Sequence, residues 1–211
     1  GIANDAASVG GIAGQSHNTL KEIYISNCNN SGTIYISASA TNQVAAGGIS
    51  GQNPEIVNNC HNSGNVVNQG NSQGIYTGGI VGRQYISTDS TNPMIYLCSN
   101  FGEITNKNSI SENMNYMGGI IGYNSGNVKK CRNEGKVTNS GTGDYVYTGG
   151  ISGYNYSVID SCGNSAIIAN TGNATTSNLT GGISGQNNHT DGEAIISNCY
   201  NIGNVNVNGT G

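Results

Sequence analysis

The sequence predicts an all-β fold: a right-handed parallel β-helix (β-solenoid) of about six coils with three short strands each, one repeat domain over residues 1–211. Three observations carry that prediction. The pentapeptide Gly-Gly-Ile-x-Gly occurs six times, starting at Gly10, Gly47, Gly78, Gly118, Gly149 and Gly181, in steps of 31 to 40 residues. Recurrence at that period marks a stacked-repeat architecture. Each copy is followed by a stretch reading Cys-x-Asn-x-Gly-x-[Ile/Val], from Cys28, Cys60, Cys98, Cys131, Cys162 and Cys199, with Ala166 the one departure at its glycine. A β-branched residue stands three places before every one of these cysteines: Ile25, Val57, Ile95, Val128, Ile159 and Ile196.

The fifth repeat shows the expected elements most plainly. Gly149 to Gly153 is read as the first strand, Val158 to Cys162 as the second and Ala166 to Asn170 as the third, separated by Asn, Ser and Gly, as strands in a turn-rich β structure are. Capped runs with a helical period are absent. Strands of successive coils stack in parallel, and the crossover rule for parallel strands makes the winding right-handed. Six coils at the interstrand spacing make a rod about 29 Å long.

The first glycine of the pentapeptide is expected at φ > 0 where the chain turns, and the others to leave room for a neighbouring backbone. Asparagine suits the corners, and stacked copies can bond from coil to coil. Three such columns are expected. One follows Cys (Asn30, Asn62, Asn100, Asn133, Asn164, Asn201). One follows the pentapeptide (Asn53, Asn124, Asn155, Asn187). One ends the third strand (Asn68, Asn106, Asn139, Asn170). The cysteines share one slot of successive repeats, so they are read as a column of buried thiols. No disulfides are expected, because in-register neighbours have parallel Cβ vectors and a disulfide needs a dihedral near 90°.

High glycine (34 residues) and a charged fraction of only 9 % resemble disorder, but the apolar residues recur in register, which decides for a folded array. Net charge is −4, which leaves no nucleic-acid footprint. Lys129, Lys130, Arg132 and Lys136 form one short basic cluster. No apolar run of about 18 residues exists, so no membrane insertion is expected in this segment. The pattern starts and stops inside a repeat, so the chain is expected to be a piece of a longer protein.

Catalysis is not expected. Parallel β-helices of the pectin-lyase-like kind include polysaccharide-cleaving enzymes, whose chemistry needs paired carboxylates on adjacent coils. No slot here gathers two of the 11 acidic residues on neighbouring coils. Asp160 shares its slot with Lys129 and is read as a surface ion pair. His17, His61 and His189 fall in different slots, and the His189–Glu193 stretch lies in a variable loop. CxxC pairs and a Gly-Lys-Ser/Thr phosphate loop are missing. No metal and no cofactor are expected.

Two features are candidates for contact with a partner. The segment from pentapeptide to Cys varies in length, being longest at 15–27, 83–97 and 186–198, and insertions in solenoids gather on one face. Tyrosine also recurs in fixed slots: Tyr76, Tyr116 and Tyr147 two residues before the pentapeptide, Tyr123 and Tyr154 just after it. An aromatic column can seat sugar rings; it can equally be a ladder that stabilises adjacent strands.

The paired signature, from Val9 to Val207, resembles the bacterial GLUG-motif repeats. That resemblance implies an extracellular setting, secreted or attached to the cell wall, in adhesin-like proteins or upstream of the catalytic domain of immunoglobulin A peptidases. It implies a non-catalytic module for adhesion or presentation, with a host or bacterial glycan or protein as partner. The alternative is an accessory, exosite-bearing region of a secreted zinc protease or carbohydrate-active enzyme. The resemblance assigns no functional residue, because its motif residues are structural.

Overall fold

The structure, a computed structural model, describes residues 6–16, 24–52, 55–85, 93–109, 114–190 and 192–211. Its strands form five parallel sheets of six, and in each sheet the hydrogen-bonded neighbours come from successive repeats. This is a parallel β-helix of six coils. Each coil holds five strands rather than three. In the fourth they are Met114–Gly118, Ile121–Asn124, Asn127–Lys129, Arg132–Asn133 and Val137–Asn139.

One of the two extra strands is the two-residue strand that follows each cysteine, such as Arg132–Asn133; the other arises at the pentapeptide, which is a corner and not a strand. Its first glycine ends one strand, its Gly-Ile pair bends, and the next strand starts at the variable residue. The isoleucine carbonyl of the following coil satisfies the corner by accepting two N–H groups. Ile120 and Ile121 both donate to the Ile151 carbonyl, at 3.0 and 2.9 Å, and Ile151 and Ser152 both donate to that of Ile183 at 2.9 Å. With these polar groups paired, the isoleucine side chain turns inward. Ile49, Ile80, Ile120 and Ile151 are fully buried with Val57, Ile95, Val128 and Ile159. Burying each such chain contributes about 2 kcal/mol. A second core runs beside the first, built on Val66, Ile104, Val137 and Ile168.

No described glycine has a positive φ; the left-handed residue is the one before each cysteine. Asn27, Asn59, Leu97, Lys130, Ser161 and Asn198 sit at φ between 50 and 55°. For residues with a side chain this costs roughly 1–2 kcal/mol. The stack holds the corner there: Lys130 N–H, for example, donates to the Asp160 carbonyl of the next coil at 3.1 Å. Glycine in the pentapeptide is needed for space. A Cβ on Gly119 would lie 2.2 Å from both the Asn133 side chain and the Gly150 carbonyl oxygen.

That contact joins the two halves of the repeat signature. The asparagine after each Cys packs against the second glycine of the pentapeptide across the coil, as in Gly48–Asn62, Gly79–Asn100 and Gly150–Asn164. These asparagines form an unbroken ladder. Each amide N–H₂ donates to the side-chain oxygen of the next coil's asparagine, from Asn30 through Asn62, Asn100, Asn133 and Asn164 to Asn201, at 2.7–2.9 Å. The same amide also donates to the backbone carbonyl two residues on, as Asn100 does to Gly102 at 2.9 Å.

The other two columns differ. The second runs from Asn124 to Asn155 to Asn187, at 2.7 Å per step. Asn53 lies outside the described residues. The third is not a ladder of in-register asparagines. Asn68 and Asn139 reach the hydroxyls of Thr77 and Thr148 on the first strand of the next coil, both at 2.9 Å, and Asn170 likewise reaches Thr180 at 2.8 Å.

All six cysteines are unbridged; the four inner ones are buried and the outer two half-buried. Their thiols donate to the carbonyl two residues back, at 3.3 Å for Cys60, Cys98, Cys131 and Cys162. Burial pushes the Cys131 thiol up, keeping it neutral.

Gly119→Ala should lower unfolding stability by about 1–3 kcal/mol or more, as overpacking does. Gly32→Ala, whose nearest contact would be an ordinary 3.6 Å, should be nearly neutral; urea unfolding of both variants checks this. Asn100→Ala strips partners from Asn62, Asn133 and Gly102. With about 1–3 kcal/mol for each orphaned group, it should destabilise far more than the exposed Asn29→Ala.

Candidate functional site

The outer surface at the pentapeptide corner brings two slots together. Two residues before the first glycine, successive coils carry Ser8, Ala45, Tyr76, Tyr116, Tyr147 and Leu179 as register partners. Five residues after it they carry Gln15, Gln52, Arg83, Tyr123, Tyr154 and Gln186. Because the chain bends at Gly-Ile, these outward side chains converge. Tyr116 stacks on Tyr147 (centroids 5.1 Å apart, planes 2° apart) and on Tyr154 (5.2 Å), and Tyr123 stacks on Tyr154 (5.5 Å). Tyr76 meets Tyr116 and Tyr123, both at 5.9 Å.

The five tyrosines singled out in the sequence therefore form one cluster and not two separate columns. It is less open than a surface ladder. Tyr76, Tyr116 and Tyr147 are only 6, 5 and 7 % exposed, because Tyr123 and Tyr154 pack over them. Those two remain half-buried and form the accessible layer. Gly74 makes room for the inner layer, since a Cβ there would meet the Tyr76 hydroxyl at 2.6 Å. Burial raises the phenol pKa of all five, Tyr116 the most, where the neighbouring phenols add to the effect. Arg83 opposes the shift at Tyr76 and Tyr123.

The strip extends beyond those five. Tyr145 packs edge-on to Tyr147 at 6.0 Å, Tyr156 stacks on Tyr154 at 6.4 Å, and His189 stacks on Tyr156 at 4.0 Å. The Arg83 guanidinium lies over Tyr76, Tyr85 and Tyr123 at 5.0, 5.6 and 5.6 Å. Arg83 was legible in principle: it fills the slot that holds Tyr123 and Tyr154 in the next two coils. His189 was not, because its place depends on how a variable loop turns. Of the long loops, residues 17–23, 86–92 and 191 lie outside the described residues. These include His17, Asp191 and most of the 83–93 excursion.

Asp160 stands beside Lys129 in register but makes no ion pair with it. Its carboxylate instead accepts from Ser197, Asn198 and Ser161 at 2.7, 2.8 and 3.0 Å, and these bonds, Ser197 first, lower its pKa. Three short donors, Ser161 beside it and Ser197 and Asn198 on the next coil, outcompete the long lysine of the coil before. In the basic cluster, Arg132 faces Glu134 at 3.6 Å and Lys136 faces Glu103 at 3.8 Å. Among the described residues no group of three His, Cys, Asp or Glu side chains comes together as a metal site. No described helix is long and apolar enough to cross a membrane.

The family model of the GLUG motif matches residues 115–138. This is a GLUG-repeat region. The matched segment runs from the strand entering the fourth pentapeptide corner to the strand after its ladder asparagine, Asn133. Neither a curated protein nor a solved structure matches the chain. In the GLUG repeat the motif glycines, cysteine and asparagine all face the interior or the corner, so the motif builds the coil and the outer slots are free to vary.

The raised phenol pKa values fix a pH response. Above about pH 10, the ordinary range for tyrosine, the unfolded chain loses phenolic protons that the folded cluster keeps. The unfolded state then binds fewer protons, so stability falls as pH rises past that point. In an alkaline titration, part of the tyrosinate absorbance should emerge only above the free-phenol range, together with loss of the β-sheet circular dichroism.

Proposed function

We propose that this chain is a non-catalytic, adhesin-like repeat module of a secreted or wall-attached bacterial protein, presenting the tyrosine strip to a glycan or a protein. One observation carries the reading: half-exposed Tyr123 and Tyr154 and exposed Tyr145 lie over an inner layer of buried rings on a stacked scaffold. Aromatic groups held this way lose little conformational freedom on binding. Three acidic groups support the non-catalytic reading: Asp160 accepts from three neighbours, and Glu103 and Glu134 face cations. The GLUG motif supports the extracellular setting through the resemblance described above.

A glycan array tests the binding reading. The informative variant is Tyr123→Ala with Tyr154→Ala, because replacing the buried Tyr76, Tyr116 and Tyr147 would empty the cluster's core and confound binding with unfolding. Binding should be lost in the double variant and retained in Tyr35→Ala, an exposed tyrosine on another sheet. If the unaltered chain bound no glycan on the array, the glycan half of the proposal would be wrong and the module would serve as a spacer or a protein contact.

A further inference from the structure

We propose that the Arg83 end of the strip is a subsite for the carboxylate of an acidic sugar, a uronic or sialic acid unit; this deepens the glycan reading above and rests on it. Among the described residues Arg83 is the one cation on the strip, half-buried, with its guanidinium against three tyrosine rings. Among the described residues it meets no carboxylate. The two ion pairs found belong to Arg132 and Lys136. Its side-chain polar partner is the neutral amide oxygen of Gln43, to which one Nη–H donates. A half-buried guanidinium whose neighbours are neutral rings and an amide is suited to an incoming anion.

The surroundings select among anions. A planar guanidinium matches the two oxygens of a carboxylate. The neighbouring rings offer an apolar surface for a sugar face. On the coil before, the half-buried Gln43 side chain that accepts from the guanidinium also donates to buried Gln52 at 3.1 Å, so a fixed amide borders the cation. A single arginine among neutral neighbours disfavours polyphosphate chains, whose binding depends on several cations.

Calorimetric titration tests this with sialyllactose, a galacturonate trisaccharide and a hyaluronan tetrasaccharide, each beside its methyl-esterified, uncharged form. At least one acid should bind. Its ester should bind about tenfold more weakly or worse, the loss expected for one charge-assisted hydrogen bond. R83Q should lose the same factor and R83K recover part of it, with circular dichroism confirming that both are folded. If R83Q does not fold, the acid-to-ester ratio on the unaltered chain decides alone. Equal binding of acid and ester, or undiminished binding by folded R83Q, overturns the subsite and leaves the glycan reading standing. No binding of any sugar, here or on the array, overturns both.

Discussion

Everything in this solenoid hangs on the contact between the ladder asparagine and the second glycine of the pentapeptide. The Asn133 side chain occupies the space a Cβ at Gly119 would take. From there its amide reaches both the next asparagine at 2.8 Å and its own chain at Gly135, at 3.0 Å. Buried amides left unpaired would be costly, so the ladder is stable only if every coil supplies the same residue at the same height. That condition fixes the repeat length of the interior and forces excess residues into outer loops.

The same constraint explains the corners. A left-handed residue precedes each cysteine whether it is Asn, Leu, Lys or Ser, so local preference does not choose that conformation. The stack does, through the N–H bonds it offers to the coil above. The thiol that follows is small enough to sit under the bend and polar enough to bond the carbonyl two residues back. Thin as it is, the core of isoleucine, valine and cysteine is continuous over six coils, and each coil is buried by its neighbours rather than by its own length.

With the interior fixed by repetition, individuality resides on the outside. Slots that hold serine, alanine and glutamine in the first two coils hold arginine and tyrosine in the third to fifth. The bend at Gly-Ile folds two such slots onto each other, so the aromatic residues are layered: one set is buried and gives rigidity, the other remains half-open. A change of outer residues along an invariant scaffold is how one repeat can serve different partners.

The repeat signature alone determined the parallel stack, the six coils, the buried thiols and the asparagine ladder after Cys, because each depends on identical residues recurring in register. The three-strand coil, the positive φ at the first glycine, the third asparagine column and the Asp160–Lys129 pair were read from local chemistry, and the tertiary structure decided each differently. Gly-Gly-Ile-x looks like a strand until the next coil's isoleucine carbonyl captures the N–H groups of its isoleucine and of the variable residue. Asn139 looks like a ladder residue until the coil closes and brings Thr148 within reach. The tyrosines were visible as slots, but their burial, and the place of Arg83 among them, depends on the angle between two sheets, which no periodicity in the sequence encodes.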